Sequence, residues 1–260
     1  MTDRRLPPAD IAHQGEVRTV AVAVTDLRRE PGGARDRQLI YGDDFRVLHS
    51  DQSWAYGARE TDGYMGYLRS DHLTGQCPAT HFVSARSSHL YPEADFKSEA
   101  SVALSFGARL TVIAETDKFA QLQTGQFIPR PHIRPINQRF TDPVDVAELF
   151  LGTPYLWGGN SIWGIDCSGL AQIALLACGL DCPGDADLQE ASIGRPVPPN
   201  EPPQRGDVLF WKGHVGLLRD PNTLLHANAY HMAVVSEPLD AAVARIKAQG
   251  DGDVTQHKRL

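Results

Sequence analysis

Four prolines, Pro129, Pro131, Pro135 and Pro143, fall close together and divide this 260-residue chain into halves of opposite texture. A proline-rich run with little apolar content makes a stiff, extended connector, so a boundary is expected at 129–140. Upstream the pattern is all-β. Short runs over 19–24, 38–41, 45–49, 54–58 and 64–68 are punctuated by Gly32-Gly33, Gly42-Asp43 and Asp62-Gly63, which suits tightly connected strands closing a small barrel over 16–76. The polar, proline-bearing residues 1–15 are expected to form an arm.

A weaker copy of the first pattern follows over 77–128. Tyr41-Gly-Asp-Asp-Phe-Arg-Val-Leu aligns with Phe106-Gly-Ala-Arg-Leu-Thr-Val-Ile, Ser53-Trp-Ala-Tyr with Lys118-Phe-Ala-Gln, and Asp62-Gly-Tyr-Met-Gly-Tyr with Thr124-Gly-Gln-Phe-Ile. Self-similarity at about sixty residues predicts two tandem barrels. The Leu-Arg, Gly, Trp and Asp-Gly-Tyr pattern resembles that of bacterial SH3-like domains, more closely in the first copy than in the second.

Beyond the prolines, 144–151 reads as an amphipathic helix, capped by Thr141 or Asp142 with Pro143 at the first helical position. Gly152-Thr-Pro-Tyr-Leu-Trp-Gly-Gly-Asn then marks a tight loop. After it Asp166-Cys167-Ser168-Gly169-Leu170 opens an apolar run in which Leu170, Ile173, Ala174 and Ala177 recur at helical spacing. Cys167 therefore falls where a loop becomes a helix. Unpaired N–H groups and the positive end of the helix dipole favour a thiolate there, so its pKa is expected below that of a free thiol. Past the Pro- and Asp-rich residues 182–203, Gln204-Arg-Gly-Asp turns the chain into a buried strand at 208–211, with strands at 214–219 and 223–227 to follow. A helix bearing a nucleophile and then antiparallel strands make an α+β domain over 141–260.

The charge balance, 25 Lys and Arg against 32 Asp and Glu for a net −7, gives no basic field for nucleic acid. The N-terminus lacks the apolar segment of a signal peptide and nothing later approaches a membrane span, so the expected setting is cytoplasmic, with no nucleic-acid or membrane partner. Cys77, Cys167, Cys178 and Cys182 are too few and too scattered for a disulfide framework or a paired zinc site. Cys178 and Cys182, beside Gly179 and Pro183, mark a helix end, and no EF-hand spacing surrounds Asp43-Asp44 or 185–187.

Nucleophilic catalysis by cysteine needs a base that also protonates the leaving amine, and a group that fixes the base's tautomer. His214, in Gly213-His-Val-Gly, has small neighbours that leave its ring accessible, and His226 lies one strand later in Leu224-Leu-His-Ala-Asn. Across a hairpin the imidazoles can pair, so that one holds the other toward Cys167. On local sequence alone, a buried structural thiol at Cys167 and a histidine packed beneath the sheet at His226 stand as alternatives. His231, His89 and His132 receive no role, while Trp157, Trp163 and Trp211 read as core or groove wall.

Thr153-Pro-Tyr-Leu-Trp-Gly-Gly, Asp166-Cys-Ser-Gly-Leu, Arg205-Gly-Asp-Val-Leu-Phe-Trp, Gly213-His-Val-Gly and Leu225-His-Ala, blocks in one order over half the chain, resemble the NlpC family of papain-like cysteine peptidases, which cut bacterial cell-wall peptides. With the SH3-like half before it, the resemblance implies an intracellular enzyme acting on murein peptides without a cofactor. Cys167 is then the nucleophile, His214 the base and acid, His226 the orienting residue, and Tyr155 the partner of the Cys167 N–H in holding the oxyanion. The implied reaction is hydrolysis of the γ-D-glutamyl-diamino acid bond in L-Ala-γ-D-Glu-diamino acid, releasing L-Ala-D-Glu during recycling of wall fragments. Asp166, Ser168, Asp185, Glu30 and Tyr64 are the expected contacts of the free N-terminal L-Ala. Asp185 matches the acidic position of the family's Pro-Arg-Asp-like stretch, although the block here reads Pro183-Gly-Asp-Ala. A Cys-His amidase or acyltransferase on another substrate, or a non-catalytic wall-peptide binder, is the alternative, and Lys against diaminopimelate and the oligomeric state stay open at this point.

Overall fold

The computed structural model describes residues 3–8 and 14–260. Of the arm expected over 1–15, residues 1–2 and 9–13 lie outside the described residues; within 3–8 a turn brings the Leu6 N–H to Asp3 O at 3.1 Å, and Arg5 O accepts the Met65 N–H at 2.9 Å. The chain divides into two units, Met1–Gln138 and Arg139–Leu260.

The first unit opens with β1 (Glu16–Val20), β2 (Val24–Arg28), β3 (Arg35–Ile40), β4 (Asp44–Ser50), β5 (Trp54–Arg59), β6 (Met65–Arg69) and β7 (Leu73–Gly75). They form one antiparallel sheet in the order β3-β2-β6-β5-β4-β1-β7 around Val20, Leu27, Leu39, Phe45 and Leu68. The run 19–24, expected as a single strand, is split: β1 ends at Val20 and β2 starts at Val24. Thr25 and Leu27 are buried on β2 beside Asp26 and Arg28, so its alternation is real but masked by charge.

The rest of the unit is β8 (His81–Val83), β9 (Ser87–Leu90), β10 (Val102–Ser105), β11 (Arg109–Leu110), β12 (Val112–Glu115), β13 (Phe119–Leu122), β14 (Phe127–Pro129) and β15 (Ile133–Pro135). These make three small sheets around a separate core of Val83, Leu90, Leu104, Leu122 and Ile133. The aligned positions share backbone geometry. Gly42 and Gly107 are both left-handed (φ +81° and +84°), as are Gly63 and Gly125 (φ +71° and +85°), a conformation that glycine adopts without strain. Each module also ends on a strand, one 3₁₀ turn and a strand: β6, Ser70–His72, β7 in the first, and β14, Arg130–His132, β15 in the second.

The proline run expected as a connector over 129–140 is therefore partly wrong: residues 129–135 close the second module. Pro129 and Pro135 stand at strand ends and Pro131 in the 3₁₀ turn, positions where the missing N–H costs little, and Ile133 between them is buried.

In the second unit α1 (Pro143–Glu148) is capped by Asp142, whose carboxylate accepts the Val144 N–H at 2.8 Å. Then come β16 (Asn160–Ser161), β17 (Gly164–Ile165), α2 (Cys167–Ala177), α3 (Ala186–Ser192), β18 (Arg195–Pro196), β19 (Val208–Trp211), β20 (His214–Asp220), β21 (Thr223–Asn228), β22 (Ala233–Pro238), α4 (Leu239–Gln249) and β23 (Gln256–Arg259). A six-stranded antiparallel sheet runs β18-β23-β19-β20-β21-β22. Helix α2, buried from Cys167 to Leu175, lies against β20 and β21. Helix α4 sets Ala242 and Ile246 on Leu209, Trp211, Leu218 and Leu224 of the sheet. Arg205 reaches Asp142 (2.7 Å) and Asp145 (2.5 Å), and Arg219 reaches Glu148 (2.6 Å), so partly exposed ion pairs tie α1 to the sheet. No helix among the described residues is long and apolar enough to cross a membrane, and none of their His, Cys, Asp and Glu side chains gather in threes as metal ligands would.

Candidate active site

The loop before α2 is folded onto the helix start by glycines with no room for a side chain. A Cβ on Gly159 would lie 2.5 Å from Gly164 O, and one on Gly169 would lie 2.6 Å from Gly159 O. Asp166 is the N-cap: its Oδ1 accepts from Gly169 N–H (2.6 Å) and Ser168 Oγ (3.0 Å), and its Oδ2 from Gly158 N–H (2.8 Å). Loop and helix thus share one buried carboxylate, and Cys167 stands at the first helical position.

Cys167 is only 8% exposed. Burial pushes its thiol up to about 12 and the Asp166 carboxylate adds to this, while the backbone N–H groups of Val215, Ser168 and Cys167 turned toward the sulfur oppose it. The expected low-pKa thiolate is corrected: the helix-start donors are present, but desolvation outweighs them in the free protein. Tyr155 is shifted upward too, by burial first and then by Cys167 and Asp166, so its hydroxyl keeps its proton and remains a donor.

His214 opens β20, next to the Val215 N–H that faces the sulfur. Cys167, Tyr155 and His214 line one cavity of about 320 Å³ together with Lys212, Asn228, Tyr230 and Arg245. The hairpin brings the two imidazoles together, with His214 Nε2 2.7 Å from His226 Nδ1 and ring centroids 5.0 Å apart. The sheet register explains the approach. Leu217 pairs with Leu225, which sets Gly216 opposite His226 and His214 on the diagonal, and a Cβ on Gly216 would stand 3.1 Å from His226 Cβ. Burial, with His226 and Arg245 nearby, pulls His214 down to about 3, so the resting pair is a neutral thiol and a neutral imidazole.

His226 is fully buried, and its Nε2 lies 2.7 Å from Glu237 Oε1 on β22. Glu237 is in turn paired with Arg245 Nη2 at 2.5 Å, and the Arg245 guanidinium sits 4.5 Å above the Tyr230 ring. Burial raises the Glu237 carboxyl, but His226 and Arg245 outweigh it and hold it below the usual carboxylate range. Sequence reasoning missed Glu237, Arg245 and Asn228 because it followed the strands only as far as 227. The signal available was the continuing hairpin: residues 229–232 form the turn, and β22 returns with Val235 opposite His226.

The remaining expected contacts are spread out. Ser168 is buried and gives its hydroxyl to Asp166, while its carbonyl accepts from Gln189 Nε2 at 2.9 Å, which ties α3 to α2. Asp185 precedes α3, and its carbonyl accepts the Gln189 N–H at 2.9 Å. In the first unit Glu30 is exposed at the turn between β2 and β3, and Tyr64 lies in that barrel's core with the Arg37 guanidinium 5.6 Å from its ring. Trp211 is core, as expected, whereas Trp157 and Trp163 are exposed at 69% and 43%.

Two family models match the chain: the NlpC/P60 family over residues 152–246 and the bacterial dipeptidyl-peptidase Sh3 domain over 27–73. The chain is 29% identical over 215 residues to a γ-D-glutamyl-L-lysine dipeptidyl-peptidase of Bacillus subtilis, covering 73% of this chain and 71% of that one. It is 31% identical over 109 residues to the probable endopeptidase NlpC of Escherichia coli, covering 36% of this chain and 70% of that one. The crystal structure of an NlpC/P60 family protein from Bacillus cereus shares the fold at 18% identity, with a TM-score of 0.77 over 94% of this chain and 99% of that chain.

Proposed function

Since the chain belongs to the NlpC/P60 family of cysteine peptidases and carries a bacterial dipeptidyl-peptidase SH3 domain, we propose that it hydrolyses the γ-D-glutamyl-diamino acid bond of peptidoglycan peptides with a free N-terminal L-Ala, releasing L-Ala-D-Glu. The observation that supports this most is the meeting of Cys167 at a helix start, Tyr155 and His214 around one cavity, with His226 2.7 Å behind His214. The name of the Bacillus subtilis relative supports the bond cleaved.

In this mechanism His214 takes the Cys167 proton as the sulfur attacks the D-Glu γ-carbonyl, which spares the protein a free thiolate in a buried site. The Cys167 backbone N–H, left without a helical partner at the first position of α2, and the protonated Tyr155 hydroxyl hold the oxyanion. His214 returns the proton to the diamino acid's departing amine, and water then cleaves the thioester with His214 as base. Asp166, Ser168 and Asp185 are assigned to the free amino end. Asp166 serves first as the N-cap, because three protein donors already occupy its carboxylate. The second β module is in this proposal a divergent second SH3-like barrel, supported by its shared left-handed glycines and identical strand, 3₁₀, strand ending. The setting proposed is cytoplasmic recycling of wall fragments.

The test is incubation with L-Ala-γ-D-Glu-diaminopimelate and with its N-acylated form. The free peptide is expected to yield L-Ala-D-Glu and diaminopimelate, the acylated peptide neither. Equal cleavage of both contradicts the dipeptidyl-peptidase assignment, and cleavage of neither contradicts the substrate class.

A further inference from the structure

A base must present a lone pair to the proton it takes, and a neutral imidazole carries its single N–H on one of two nitrogens. His214 Nε2 is engaged with His226 Nδ1 at 2.7 Å, so Nδ1 is the ring nitrogen left for the thiol. Whether that nitrogen holds a lone pair or a proton is decided one residue further back. Two groups compete for His226 Nε2. Glu237 Oε1, 2.7 Å away, can only accept, and Asn228 Nδ2, 2.9 Å away, can only donate.

The two choices have opposite consequences. If Asn228 donates to His226 Nε2, the His226 proton sits on Nδ1 and points at His214 Nε2, which must then carry its own proton on Nδ1, facing the thiol. That arrangement cannot accept. If Glu237 accepts from His226 Nε2–H, His226 Nδ1 becomes the acceptor, His214 Nε2–H donates to it, and His214 Nδ1 is a lone pair.

The surroundings favour the second. Glu237 is kept anionic by Arg245 at 2.5 Å, and a lone pair on His226 Nε2 facing that carboxylate at 2.7 Å would be repelled. The other groups facing Glu237 and His226 are His231, whose Nδ1 lies 3.9 Å from Glu237 Oε1, and the Asn228 Oδ1, which is already engaged by the His231 N–H at 2.8 Å.

We propose that Glu237 is the positioning residue of the active site: through His226 it fixes His214 in the tautomer that can receive the Cys167 proton. This presupposes the roles given above to Cys167 and His214. The proton balance is simple. The Cys167 S–H proton moves to His214 Nδ1, the His214 Nε2–H stays directed at His226 Nδ1, and Glu237 neither gains nor loses a proton. Register explains why a residue so far along the chain can act here, since Leu224 pairs with Glu237 and His226 with Val235, which puts Glu237 diagonally beside His226 on the same sheet face.

The experiment pairs histidine side-chain ¹⁵N spectra, recorded on the protein without peptide, with kcat and KM for wild type, Glu237→Ala and Glu237→Gln. Wild type is expected to show Nε2–H at both His214 and His226. Glu237→Ala moves both protons to Nδ1 and lowers kcat by up to about 10⁴-fold, the loss when a catalytic histidine is held in the wrong tautomer, with KM unchanged. Glu237→Gln, whose side-chain oxygen still accepts from Nε2–H, recovers the wild-type tautomers and most of kcat. Nδ1–H at His226 in wild type overturns the proposal with no variant needed, so a Glu237→Ala chain that fails to fold leaves it decidable. Unchanged tautomers in Glu237→Ala, or a Glu237→Gln enzyme as slow as Glu237→Ala, also overturn it. Failure of the proposed reaction reads differently: wild type then leaves the peptide uncut, whatever the spectra.

Discussion

The active site has two sides, built in different ways. The cysteine side is local: Gly158, Gly159, Asp166, Cys167 and Gly169 lie within a dozen residues, and backbone contacts with one capping carboxylate fix them. The histidine side is a diagonal across β20, β21 and β22, in which His214, His226 and Glu237 come from separate strands and meet only through register. A local platform is held by space and capping, so its faults show first as lost stability. A relay across strands is held by hydrogen-bond direction, so its faults show first as lost rate.

Removing the reacting groups has the largest effect on both sides. Cys167→Ala and His214→Ala are each expected to cut kcat by about 10⁴-fold or more, and the double variant to be no worse than the singles, because the two act as one unit. Measured kcat/KM for the three variants checks this, and additive losses break the unit. His226→Ala is expected to cost about 10⁴-fold in kcat, with little change in melting temperature relative to the loss in rate.

The glycines separate the two sides more finely. On the cysteine side, Gly169→Ala drives a Cβ to 2.6 Å from Gly159 O and is expected to cost about 1–3 kcal/mol by denaturant titration. On the histidine side, Gly216→Ala places a Cβ 2.8 Å from Leu224 Cδ1 and 3.1 Å from His226 Cβ, so kcat is expected to fall more than its stability does. A Gly216→Ala enzyme with intact kcat would break the contrast. Asp166→Ala is expected to cost about 1 kcal/mol for the lost cap.

The smallest effect is in pH. The folded-state pKa of His214 is depressed to about 3 by burial and its neighbours, and that of His226 is lowered as well, mainly by burial. Below the ordinary histidine value near 6.5 the unfolded chain binds protons that the folded chain does not, so stability is full above that pH and is lost as pH falls toward 3. Melting temperature against pH should decline across that window, and His214→Ala should flatten part of the decline.

The same contrast governs what could be read from residues alone. The cysteine side was legible because glycines, a cap and helical spacing are short-range signals, and Asp142 and Pro143 at the start of α1 were legible for the same reason. The charge state of Cys167 was not, since it depends on desolvation by residues that the fold packs over the thiol and not on the donors of the helix start alone. His214 beside His226 followed from a short hairpin, but Glu237 required the register of a further strand. In the first unit β2 hid its inward Thr25 and Leu27 among charges, and the prolines at 129–135 resembled a connector while ending strands. The NlpC-type blocks carried the family assignment, and the matching models carried it independently.

The most direct measurement traps the covalent intermediate. The protein is mixed with L-Ala-γ-D-Glu-diaminopimelate, quenched in acid within the first turnovers, and analysed by peptide mass spectrometry. The expected result is an L-Ala-D-Glu acyl group on the peptide carrying Cys167, absent in Cys167→Ala and in His214→Ala. Peptide cleavage that persists in Cys167→Ala, or an acyl group carried by any other residue, would contradict Cys167 as the nucleophile.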